Sequence, residues 1–209
     1  MKEQQKKYEL TDEFIEHWRG KKLYRIRALV SFGAVVAGQL GGFVESEKNL
    51  DQSLSGNAWV YGDAQVFDDA RVYGDAQVFG DAQVFDDARV YGDAQVFGDA
   101  QVFGAAQVFG NARVLGNARV LGNAQVRSYA VISERKMIFL ATNVGSENGT
   151  LTVFNGEDGL IVTRGCFTGT VDEFLAKSAE VHDDKTKNEY KLLIEVAKSR
   201  ILGVKDERN

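Results

Sequence analysis

The sequence predicts a mainly β chain built as a three-sided parallel β-helix of 18-residue coils, with a cap before it and a small α+β domain after it. Three observations predict this. From Gly56 the chain runs in hexads, GNAWVY, GDAQVF, DDARVY and onward to GNAQVR, then a degenerate SYAVIS that ends at Ser133. Self-similarity at a fixed short period is the signature of a solenoid. Residues 62–79 recur identically as 80–97, so the true unit is three hexads, one for each side of a three-sided coil. Within each hexad the alternation of strand side chains puts Ala and Val on one side of the backbone and Gln or Arg and an aromatic on the other.

Three segments follow in order. Residues 1–55 form the N-terminal cap: Thr11 is placed to cap a short helix carrying Phe14, Ile15 and Trp18, Leu23 to Phe32 reads as a strand, and residues 33–55 feed into the first coil. Residues 56–133 form the β-helix. Ala58, Ala64 and Ala70, with Val60, Val66 and Val72 and their successors, suit a narrow interior, where each buried Val contributes roughly 1.5–3 kcal/mol. Gly-Asp or Gly-Asn turns each corner, because Gly takes positive φ freely and Asp and Asn tolerate it. The clear hexads make four coils, a prism about 20 Å long at ~4.8 Å per coil. The chain has no proline, in keeping with ladder strands that cannot spare an N–H.

Residues 134–209 form the third segment. Met137 to Thr142, Gly149 to Phe154 and Leu160 to Arg164 read as strands. Thr170-Val171-Asp172-Glu173 is a capping box opening a helix to about His182. A last helix over about 185–202 gathers Tyr190, Leu193, Ile194, Ala197 and Ile201 on one face. Both a recognition domain and a dimerisation module fit this segment.

With Val at one hexad position and a small residue four later, the repeat resembles the hexapeptide-repeat left-handed β-helix proteins, a family that includes many acyltransferases. The resemblance alone implies the left hand, an exception to the usual crossover rule. LGGFVESEKNL (Leu40 to Leu50), followed by Gly56-Asn57-Ala58-Trp59-Val60, is also similar to bacterial and bacteriophage solenoid proteins, some labelled acetyltransferases. That implies a chain encoded by a phage or prophage and acting in the host cytoplasm.

Composition narrows the function classes. A single cysteine, Cys166, excludes an internal disulfide, and no apolar run or leader-like start points to a membrane or to export, so a cytoplasmic place is expected. A net charge of −5 argues against direct nucleic-acid binding, which needs a basic surface. The acyltransferase family implies a histidine base near a cleft between subunits, often with a loop thrown out of a coil. Here no hexad from Gly56 to Arg127 is interrupted and none contains His. His17 and His182 are the only histidines, too few for a three-His zinc site, and no local motif links Cys166 to a base. No catalytic residue, metal or cofactor is therefore expected.

Two sets of outward residues remain as candidates. Asp63, Asp81 and Asp99 align at one corner of the coils, Asp69 and Asp87 at a second, and Asp75 and Asp93 at a third. These are turn formers first, and candidate contacts for a cation or a partner second. The sixth hexad position gives aromatic stripes of Phe67, Phe85 and Phe103, of Tyr73, Tyr91 and Phe109, and of Phe79 and Phe97 after Tyr61. Stacked aromatics support one another by about 0.2–1 kcal/mol per pair, yet soluble monomers seldom leave large apolar patches open. Residues 56–99 carry nine Asp and two Arg, for −7, whereas 100–127 carry three Arg and no acid, for +3. The expected function is a non-catalytic, rigid binding or assembly protein that self-associates or captures a host protein or small molecule. An acyltransferase with an intersubunit site is one alternative, and a phage inhibitor of a host protein or small molecule, DNA mimicry through the acidic face included, is the other.

Overall fold

A computed structural model describes residues 5–203. Its centre is a parallel β-solenoid of about five turns whose rungs are two-residue strands at every sixth residue. Each rung pairs in parallel with the one 18 residues later: Gln65 with Gln83 and Gln101 with Arg119 on one face, Gln77 with Gln95 on the second, Arg71 with Arg89 on the third. The Ala and Val at the third and fifth hexad positions, from Ala58 to Val126, all lie in the core with at most 1% exposure. These side chains are small because three walls meet over them and nothing larger fits the bore.

Corners obey a simple rule. The first residue of nearly every hexad is left-handed, with Gly74, Gly80 and Gly92 at φ +72°, +73° and +69°. At Gly92 an added Cβ would also meet the amide nitrogen of Gly110 at 3.0 Å. Two hexads break the composition but keep the conformation: Asp68 and Asp86 both take φ +59°. Asp tolerates this region better than most residues, at some cost relative to Gly.

The solenoid begins earlier than the repeat does. Strand β3 (Leu40–Val44) pairs in parallel with the 65–66 rung, and Leu50 bridges in parallel to Val72, so residues 40–60 form a first coil of which 40–55 lack the hexad signature. Gly41 and Gly42 lie against the carbonyl oxygens of Val60 and Ala64, where a Cβ would collide.

Before it the expected helix at Thr11 is absent. The chain instead forms an antiparallel hairpin, β1 (Tyr8–His17) and β2 (Lys21–Ala28), which extends the first face through β3. The helical reading took Phe14, Ile15 and Trp18 as one helix face. In the hairpin, tertiary pairing with β2 overrides that local pattern, and Trp18 stands exposed at the turn.

The bottom of the prism exposes carbonyl oxygens that have no lower rung. Lys7, fully buried, donates from Nζ to the Gly56 and Ala58 oxygens at 2.9 Å each, and Asn49 donates from Nδ2 to those of Asp68 and Ala70 at 3.0 and 2.9 Å. Buried backbone acceptors need such partners.

At the other end an antiparallel sheet, β4 (Ile138–Val144), β5 (Gly149–Gly156), β6 (Gly159–Arg164) and β7 (Phe167–Thr170), carries helices α1 (Val171–Val181) and α2 (Asp184–Leu202). The Thr170 capping box forms as expected, with the Thr170 hydroxyl accepting from the Glu173 amide at 3.2 Å. Tyr190, Ile194, Ala197 and Ile201 are buried against the sheet, and Leu193 is half-buried beside them. Strand β7 was not foreseen. No helix is long and apolar enough to cross a membrane among the described residues.

Candidate functional site: the outer faces of the prism

The aromatic stripes are stacked ladders. Phe67, Phe85 and Phe103 stack at 5.1 and 4.9 Å, Tyr73, Tyr91 and Phe109 at 4.8 Å each, and Phe79 with Phe97 at 4.7 Å, all within a few degrees of parallel. The spacing is that of the rungs themselves, so the backbone ladder imposes the stack.

The three ladders differ in what covers them. Phe67 and Phe85 are buried at 1% and 8% exposure, and they pack with Leu23, Phe43 and Ile15 of the hairpin and entry strand. His17 lies over Phe67 with ring centroids 4.5 Å apart, and the Arg19 guanidinium sits 4.8 Å from the Phe85 ring. The expectation of an outward patch is therefore corrected for Phe67 and Phe85, which the protein covers itself.

Charged side chains fasten this cover. Arg19 reaches Asp68 at 3.2 Å and Asp86 at 3.1 Å, while Lys21 reaches Asp68 at 2.5 Å and Glu45 at 2.9 Å. Burial pushes the Asp68 carboxyl up, but the Lys21 hydrogen bond and charge, the Asp86 amide and Arg19 together hold it below the usual carboxylate range. His17 is pushed down, first by burial and then by Arg19 and Lys21, against an opposing pull from Asp68. Its Nε2 is buried with no partner among the described residues.

The third face is open. Arg71 and Arg89 project from it, exposed, beside the half-buried Tyr73 and Tyr91, and Lys48, Asp51 and Val72 complete a groove of about 390 Å³. Tyr91 donates to Gln107 Oε1 at 3.2 Å, and burial raises the Tyr73 and Tyr91 phenols. Arg127 closes the top of the ladder, its guanidinium 5.6 Å from the Phe109 ring. The second face presents Phe79 and Phe97 with Gln77 and Gln95, with Arg113 5.7 Å from Phe97.

The repeat itself has a known likeness. Residues 64–80, 82–98 and 106–120 match the YdcK beta-solenoid repeat. These segments cover the middle coils, and the match supports the same architecture that the 18-residue pairing displays. No curated protein sequence matches the chain.

The corner acids sit at the turns of the coils. Asp63 lies 3.5 Å from Arg25, Asp69 lies 2.9 Å from Lys48, and Asp75 accepts from the Asn57 side chain at 2.7 Å. Asp81, Asp87, Asp93 and Asp99 are exposed and form no ion pair among the described residues. No group of three or more His, Cys, Asp or Glu in the described residues is arranged to hold a metal. Sequence reasoning missed Asp68 and Asp86, which stand at the first hexad position rather than the second. Their signal was legible, since these two hexads begin with Asp where Gly is the rule.

The C-terminal domain joins residues that no local motif linked. Cys166 and His182 line one cavity of about 240 Å³ with Arg164 and Lys177, and the buried Ser178 hydroxyl in its wall has no partner among the described residues.

Proposed function

We propose that this chain is a non-catalytic assembly protein whose solenoid associates with a second copy of itself through the open aromatic face. A single observation carries the reading. Arg71 and Arg89 on the third face are one coil apart, Asp81 and Asp99 at the corner between the first and second faces are also one coil apart, and none of the four has an ion-pair partner among the described residues. Two copies lying side by side with their axes parallel would bring both pairs into register. The Tyr73, Tyr91 and Phe109 ladder would then be buried between them. The covered ladder supports this, because Phe67 and Phe85 already accept an apolar hairpin fastened by an Arg and a Lys on acids one coil apart.

Such a contact is heterologous, joining two different patches, and it closes into a ring or continues as a filament according to its rotation. Light scattering over a range of concentration and salt tests it. A concentration-dependent oligomer that weakens with salt is expected. Arg71→Glu with Arg89→Glu should give a monomer, and adding Asp81→Lys with Asp99→Lys should restore assembly. A monomer under all conditions would refute the reading.

A further inference from the structure

The solenoid's C-terminal end is bonded to the following domain on two faces and unpaired on the first. On one face Thr152 accepts from the Gln125 amide at 3.3 Å and Thr163 donates to the Gln125 oxygen at 2.8 Å. On another, Ala130 bridges to Gly156, and Asn155 donates to the Val131 oxygen at 3.2 Å. The first face, which carries the hairpin at its lower end, ends at the 119–120 rung as the edge of its sheet.

Along that face each rung donates two amides to the next. Those of Gln101 and Phe103 bond the carbonyl oxygens of Ala118 and Val120 at 3.0 and 2.9 Å. The equivalent amides one coil later belong to Arg119 and Leu121. No rung lies above them, and neither donates to any group among the described residues. A cleft of about 480 Å³ lies there between the last coil, β4 and α2. Arg119, Arg135 and Arg200 line it, and no carboxylate of the described residues lies within 4 Å of any of them. Leu121, Leu140 and Val196 give it an apolar wall, with Leu121 and Val196 43% and 48% exposed.

The geometry points to a docking site for an extended acidic peptide segment that adds a parallel strand to this edge. Amides of alternate residues in a strand are about 6.8 Å apart, too far for one carboxylate to bridge. Alternate carbonyls of an extended chain match that spacing, as Ala118 and Val120 match it one coil lower. Strand addition draws its affinity from these main-chain bonds and its specificity from side-chain pockets. Three guanidinium groups without an acid select carboxylate side chains. The apolar wall accepts one aliphatic side chain between them. This site is at the opposite end of the first face from the hairpin, and it does not depend on self-association.

Fluorescence anisotropy with a fluorescein-labelled, capped hexapeptide alternating glutamate and leucine tests the assignment, with a lysine and leucine hexapeptide as the control. Arg119→Gln and Arg200→Gln should each weaken binding about tenfold, while Arg113→Gln, in the same basic region but on another face, should leave it unchanged. Leu121→Pro, which deletes one of the two amides at a sheet edge where proline is tolerated, should weaken binding about fivefold beyond Leu121→Ala. Absence of binding, equal binding of the basic peptide, or insensitivity to Arg119→Gln would overturn the proposal. So would displacement of the peptide by inorganic phosphate with Leu121→Pro equal to Leu121→Ala, which would mark a small-anion site instead.

Discussion

Asp68 and Asp86 are one coil apart in the same left-handed corner, and the Asp86 amide donates to Asp68 Oδ2 at 3.4 Å while Arg19 reaches both carboxylates. Glycine would be the easier residue at both positions, so the repeat departs from its own rule where the hairpin docks. The double substitution Asp68→Gly with Asp86→Gly should relieve backbone strain, release Arg19 from both acids and leave Lys21 paired with Glu45 alone. Partly exposed ion pairs contribute up to about 1 kcal/mol each. The coils should keep their stability while the hairpin loosens. Hydrogen exchange reads both at once: amides in 8–28 should exchange faster and those in 74–102 should not. Unchanged hairpin protection would mean that apolar packing alone holds it.

Phe67 separates the covered ladder from the open ones. It is buried beneath His17 and the hairpin, whereas Phe97 stays half-exposed on the second face. Phe67→Ala should destabilise the chain by about 3 kcal/mol, and Phe97→Ala should lose about one stacking contact, roughly 1 kcal/mol. Denaturant midpoints at constant slope measure the difference. Equal losses would show that stacking, and not hairpin cover, sets the value of these aromatics.

The coils were legible because the hexads repeat the same constraints, a small residue and Val inside and a left-handed corner, with an aromatic outside from Tyr61 to Phe109. The first coil was not, since Phe43, Val44 and Leu50 hold rung positions without the Gly-Asp punctuation. The hairpin was misread for a related reason. Its pattern is interrupted by a register shift between Leu10 and Phe14, and its apolar residues face a ladder far along the chain. The C-terminal helices were legible because Thr170 and Asp183 cap them locally. The meeting of Arg119, Arg135 and Arg200 depends on tertiary placement and leaves no spacing to read.

Acid should weaken the hairpin in two stages. His17 has a folded pKa below its ordinary value of about 6.5, so the unfolded chain binds more protons in the interval between the two. Stability therefore falls as pH drops below about 6.5. Asp68 is also held below its ordinary value. Its contribution is complete above that value, about 3.9, and is lost as pH falls through the lower folded pKa. His17→Phe, which keeps a ring over Phe67, should remove the first stage and leave the second. Thermal midpoints measured from pH 7.5 to 3 test this, and an identical profile for His17→Phe would exclude His17 as the source.

Lys7 caps the bottom of the prism at the expense of burying an ammonium group. Burial lowers its pKa, with Asp51 and Asp75 pulling the other way. Its ammonium lies 4.3 Å from the Phe32 ring centroid and donates to two backbone oxygens. Lys7→Met preserves the stem and leaves the Gly56 and Ala58 oxygens without a donor. Each bare buried acceptor costs about 1–3 kcal/mol, so a loss of about 2–4 kcal/mol is expected wherever water cannot enter. The loss should begin at the first coil, because the two oxygens that Lys7 satisfies lie on its lower edge. Hydrogen exchange of the Trp59 and Tyr61 amides, which bond to Ala76 and Val78, should accelerate before that of Gln95 and Phe97 two coils higher. Uniform acceleration along the prism would instead mean that the solenoid unfolds as one cooperative unit and that Lys7 stabilises all of it.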